Sequence, residues 1–160
     1  MRGGALPPAL LCAGLGFALA FAPRSARAPA LATLVATAVV AHLTGYGAAN
    51  PDAAFLGCWI SVVVISALVH LPGGVGGKLA LLLAFTAGLW AGAVTSASGG
   101  WTALCIALLC VGVLAPAAWL AGRGYGLAIK VVSSWLIAVA ILAAGLSFVP
   151  TPGYVPDHME

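Results

Sequence analysis

Among the residues able to do chemistry, the stretch from His70 to Leu79, HLPGGVGGKL, comes nearest to a known device. A phosphate-cradling loop reads G-x-x-x-x-G-K-[ST], because backbone N–H groups hold the phosphates while the hydroxyl after the lysine meets magnesium. Counting back from Lys78, the first glycine of that pattern falls on Pro72, and the hydroxyl position is Leu79. No strand precedes the stretch, and no aqueous domain surrounds it. A simpler role uses every residue. Pro72 ends one helix, the glycines reverse the chain, and Lys78 anchors the next helix at the headgroups. The loop reads as a turn.

The other candidates lie inside apolar runs. Lys130, Ser133 and Ser134 form the most polar stripe, with Lys130 and Ser134 four apart on one helical face. The stripe is the candidate lining of a transport pathway. His42 and His70 are polar intramembrane positions near opposite membrane faces, so they do not share one metal. The cysteines, Cys12, Cys58, Cys105 and Cys110, have no CxxC spacing and read as small buried hydrophobes. No Asp or Glu occurs within any apolar run, which removes paired-carboxylate catalysis and proton transport on an embedded carboxylate. Motifs of the HExxH and GxSxG type are absent. No catalytic, cofactor-binding or metal-ligating set is therefore expected. Asp52, after Asn50 and Pro51, suits a turn or cap at the start of a helix.

What positions these residues follows from composition. Hydrophobic residues make up 63% of the chain and charged residues 6%, with mean hydropathy +1.17. Soluble domains carry charge at about a quarter of their positions, so lipid is the solvent. Long unbroken apolar runs then choose helices over a barrel. The expected fold is an all-α polytopic membrane protein. It is a compact bundle of six transmembrane helices with short loops, spanning about 6–22, 29–46, 53–71, 78–95, 101–121 and 127–149. This single domain, residues 1–150, precedes a short tail, 151–160, rich in proline and expected outside the cytoplasm. Asp157, His158 and Glu160 there make only a weak metal set. The net charge of +3 comes from scattered basic residues without a basic block, which gives no nucleic-acid surface.

Of the six basic residues, all but Arg2 fall at the loops after spans one, three and five or at the helix ends beside them. These are Arg24, Arg27, Lys78, Arg123 and Lys130. The bias places those loops in the cytoplasm and both termini outside, in a cell inner or plasma membrane. The first run also resembles a secretory signal ending in Ala26-Arg27-Ala28. Cleavage there would put Lys78, Arg123 and Lys130 outside, so charge placement favours a retained first helix. Leu11 before Cys12 is too large for a lipoprotein signal.

Ala84, Gly88 and Gly92 recur every four residues, a ridge that lets another helix backbone approach closely. Spacing alone does not say whether that helix belongs to the same chain. Pro116 is placed to bend the fifth span. Trp101, Trp119, Tyr125 and Tyr46 occupy interfacial positions. Two functional classes follow. One is a small oligomeric transporter or channel for an ion or small solute. The other is a non-catalytic accessory subunit that packs against a larger membrane complex. Its partners are the lipid bilayer and either further copies or other membrane subunits. A membrane enzyme ranks third for lack of candidate chemistry.

Overall fold

The computed structural model describes residues 5–98 and 100–146. Within them the chain is all-helical: α1 (Leu6–Ala20), α2 (Arg24–Thr44), the single turn α3 (Tyr46–Ala49), α4 (Pro51–Leu68), α5 (Gly77–Ser98), α6 (Gly100–Cys110), α7 (Leu114–Gly122) and α8 (Gly126–Leu146). A 3-10 turn, Val111–Val113, joins α6 to α7 in one continuous rod. Taking that rod as one element, five helices of 18 to 23 residues are long and apolar enough to cross a membrane. Their lengths, roughly 27–35 Å at 1.5 Å per residue, match a hydrocarbon layer of ~30 Å. The tail and Arg2 lie outside the described residues.

The expected sixth crossing, α1, differs in kind. It has 15 residues and covers only about 22 Å. Yet it is the centre of the bundle, packed against α4, α5, α6, α7 and α8. Leu11, Cys12, Leu15, Ala18 and Leu19 are wholly buried. Of the long helices all but α5 have a third or less of their apolar span buried, whereas α1 meets mainly other helices. Gly16 shows how closely: a Cβ there would stand 2.8 Å from Val113 Cγ1 and 3.1 Å from the carbonyl oxygen of Val111.

Two helix limits differ from the sequence expectation. The second helix starts at Arg24, so the segment read as a loop is its first turn, and Pro29 sits inside it. Proline so near an N-terminus forfeits a single internal bond, to the Ser25 carbonyl, on an exposed surface. The fifth span is interrupted at Val111–Val113. Pro116 explains the place: its ring excludes a bond to the Gly112 carbonyl and crowds it, which loosens the turn before the proline.

The tightest pairing is α2 on α5. Small residues make it: a Cβ on Gly88 would stand 2.6 Å from the carbonyl oxygen of Leu34, and one on Gly92 would stand 2.8 Å from Ala41 Cβ. Gly47 of α3 lies directly on the Ala93 carbonyl of α5. With so little side chain between them, van der Waals contact between backbones replaces the hydrophobic drive that lipid cannot supply.

Three turns gather at one end of the bundle. The carbonyl of Phe21, at the α1–α2 turn, faces Gly74 of the α4–α5 turn, where φ is +77° and a side chain would be strained. The Phe21 ring lies against Gly126 at the start of α8, 3.5 Å from where its Cβ would be. Arg24, Arg27, Lys78 and Arg123 all belong to this end by their places in the helices and turns. Arg27 has a structural duty there. Its Nη2 donates to the Ala20 carbonyl at 2.9 Å and its Nε to that of Ala22 at 3.2 Å, which satisfies acceptors left open where α1 stops. Asp52, in the first turn of α4, is at the opposite end, where an acid complements the helix dipole.

Candidate functional site

Hydroxyls on membrane helices usually bond back to their own helix, because lipid offers no other acceptor. Thr33, Thr37, Thr86, Thr95, Ser96 and Ser98 all do so, with oxygen–oxygen distances of 2.7 to 3.1 Å. Ser66 and Ser133 do not. Both are wholly buried, and neither hydroxyl has a hydrogen-bond partner; the buried indole nitrogen of Trp59 has none either. A buried, unpartnered hydroxyl costs about 1–3 kcal/mol, so the sites that keep them call for an explanation.

Helix geometry brings them together. Trp59 and Ser66 lie seven apart on one face of α4, and His70 follows, four further on, in the turn after its end. That face meets α8, since His70 Nε2 lies 3.1 Å from Ser134 Oγ. Gly14 of α1 fills the third side. A Cβ on Gly14 would stand 3.4 Å from Ser66 Oγ and 4.0 Å from Leu136 Cδ1 of α8. Ser133 lies one turn before Leu136, on the same buried face as Ile129 and Ala140. The result is a polar seam where α1, α4 and α8 meet, rising from the basic end of the bundle toward its middle.

At the basic end of the seam His70 and Ser134 meet. A carbonyl only accepts, so His70 Nδ1 carries the proton it donates to the Ser66 carbonyl at 3.2 Å. The single hydroxyl proton of Ser134 serves either the Lys130 carbonyl, 3.0 Å away, or His70 Nε2. His70 and Ser134 are exposed and Lys130 is half-buried. Thus the stripe expected from the sequence divides: Ser133 turns into the core, while Ser134 stays at the surface, engaged by His70 and its own helix.

His42 is elsewhere, at the far end. Thr95 donates its proton to the Ala91 carbonyl, so His42 Nδ1–H donates to Thr95 Oγ1 at 3.0 Å. The ring of His42 also lies 4.5 Å from that of Trp101, centroid to centroid. This histidine ties α2, α5 and α6 together. Ala84, Gly88 and Gly92 are buried, and the two glycines face α2 of the same chain. Cys12 and Cys58 are buried and, like Cys105 and Cys110, unbridged. Among the described residues no group of three or more His, Cys, Asp or Glu is placed to hold a metal ion.

Sequence reasoning did not single out Ser66. It read Gly14 as a weak packing position and Trp59 as one of three deep tryptophans facing lipid or a neighbouring helix, of which one could narrow a pathway. The one available signal was the i, i+7, i+11 spacing of Trp59, Ser66 and His70, which becomes informative only once α8 is known to cover that face. Compared with known protein families, characterised proteins and solved structures, the chain matches none.

Proposed function

We propose that this polytopic membrane protein is a small transporter or channel that passes water or a small uncharged polar solute along the α1–α4–α8 seam. It works as a homo-oligomer with one seam in each copy, in a cell inner or plasma membrane, its basic loops cytoplasmic. The observation that carries this reading is the pair of wholly buried, unpartnered hydroxyls of Ser66 and Ser133. Each is a hydrogen-bonding station with no protein partner, and such stations suit a molecule in transit. The charge pattern supports an uncharged cargo. Lys130, one turn from Ser133 and Ser134, repels cations, and the one carboxylate on the helices that line the seam, Asp52, sits at the opposite end of α4.

The alternative, an accessory subunit, drew on Ala84, Gly88 and Gly92 as an open docking ridge. Its motivation is weaker where α2 already occupies the two glycines. The test is permeability of proteoliposomes to water, urea and glycerol, followed by light scattering after an osmotic step. The protein should raise one of these above protein-free vesicles, and Ser133→Val should lower that increment roughly tenfold, the effect of about 1.4 kcal/mol at the barrier. Ser133→Thr, which keeps the hydroxyl, should retain most of it. No protein-dependent flux, or equal flux in Ser133→Val, would overturn the reading.

A further inference from the structure

At the basic end, a cavity of about 490 Å³ opens between the α1–α2 turn and α7, lined by Phe21, Arg24, Arg27 and Trp119 among others. Arg123 follows the lining residue Gly122, its guanidinium carbon 4.0 Å from the centroid of the Trp119 ring. Next to it lies a second hollow of about 340 Å³, almost wholly apolar, between Leu31 of α2 and Val111, Leu114 and Ala115 of the interrupted rod. The two share Arg27 and Ala118 as lining residues, so they form one groove with a cationic head and an apolar trunk. Its origin is plain in the packing. The α2 helix spends its contacts on α5 and leaves its Arg27–Leu31 side facing α7 across a gap. The 3-10 turn at Val111–Val113 shapes the wall of that gap.

We propose that this groove binds an anionic phospholipid, its phosphate among Arg24, Arg27 and Arg123 and one acyl chain along Leu31 and Ala115. Charge selects the headgroup. Arg24 and Arg27 line the mouth and Arg123 is stacked on Trp119, which lines it too; the first turn of α2 carries no acid, and the chain's acids other than Asp52 lie in its tail. Arg27 spends two N–H groups on the Ala20 and Ala22 carbonyls at the end of α1 and keeps the others for a phosphate oxygen. The unsatisfied N–H groups of the α2 N-terminus add to the attraction. The apolar trunk is what selects a lipid over a free phosphate. A small anion would leave the second hollow unfilled, whereas an acyl chain occupies it and runs parallel to the helices. The site is independent of the polar seam and stands or falls apart from it.

The test is native mass spectrometry of the full chain in detergent, titrated with phosphatidylglycerol, phosphatidylcholine and glycerol 3-phosphate in separate arms. One phosphatidylglycerol per copy should persist, in clear preference to phosphatidylcholine, and glycerol 3-phosphate should not displace it. Arg24→Gln and Arg123→Gln, which spare the α1-capping Arg27, should each weaken retention roughly fivefold. Ala115→Trp fills the trunk from an exposed position and should weaken it for the acyl chain without altering elution of the protein. Equal retention of phosphatidylcholine overturns the proposal. So does unchanged retention in Ala115→Trp, or effective competition by glycerol 3-phosphate, which would mark a site for free phosphate.

Discussion

A serine is nearly neutral on a membrane helix when it bonds to its own backbone, and conspicuous when it does not. Ser134 and Ser133 are adjacent in sequence, yet only Ser134 makes the back-bond, to the Lys130 carbonyl. Ser133 and Ser66 are left with buried oxygens that have no protein partner, which a bound water or solute would satisfy. This gives a stability test separate from flux. If the seam were dry, Ser66→Ala would remove an unmet polar group and stabilise the protein by about 1 kcal/mol or more. The hydrated seam proposed here makes the change neutral or mildly destabilising, read as thermal unfolding in detergent. A clear gain in stability would show that nothing polar visits Ser66. The polarity of Lys130, Ser133 and Ser134 is legible in the sequence. Which hydroxyl turns inward is not, because that depends on which side of α8 meets α1 and α4.

At the scale of helices, what could be read in advance was the approximate place of most apolar runs, since Pro72, the glycines around it and the basic residues punctuate the chain; the start of α2 at Arg24 could not, because its first turn reads as a loop. The role of each run could not be read. A residue facing lipid and one facing another helix are both apolar, so α1, wrapped by neighbours, carries no marker that separates it from the lipid-facing α8. Its burial does bear on the signal-like N-terminus. A chain cut after Ala28 would lose the helix on which five others pack. The glycine ridge was visible as spacing, but its partner emerges only from the fold, where Gly88 and Gly92 receive the backbone of α2. Gly92→Leu should therefore damage folding itself. Overpacking against the Ala38 carbonyl and Ala41 Cβ should cost about 3 kcal/mol, seen as loss of the monodisperse detergent-solubilised form. Ala97→Leu, on the same helix but exposed, should be tolerated. A Gly92→Leu protein as stable as the parent would contradict the α2–α5 pairing.

For the molecule as a whole, hydropathy gives membrane residence, the alternating placement of arginine and lysine is the basis for the proposed sidedness, and the fold gathers the basic turns at one end. The turns at Phe21, Gly74 and Gly126 touch one another at one end of the bundle. They gather the basic loops, the mouth of the polar seam and the cationic groove on a single face. Opposite them lie Asp52, the His42–Thr95 contact and Trp101. Both proposed sites depend on this arrangement, because the groove needs the headgroup layer and the seam needs an aqueous mouth. Site-by-site labelling with a membrane-impermeant maleimide tests it most directly, in intact cells carrying a variant whose native cysteines are replaced by alanine. Single cysteines at Ser25, Lys78 and Gly124 should react only after the membrane is permeabilised, while those at Asn50 and Ser98 should react at once. Prompt labelling at Ser25 together with protection at Gly124, or at any one of the basic turns without the others, would contradict a bundle whose three basic turns share one side of the membrane.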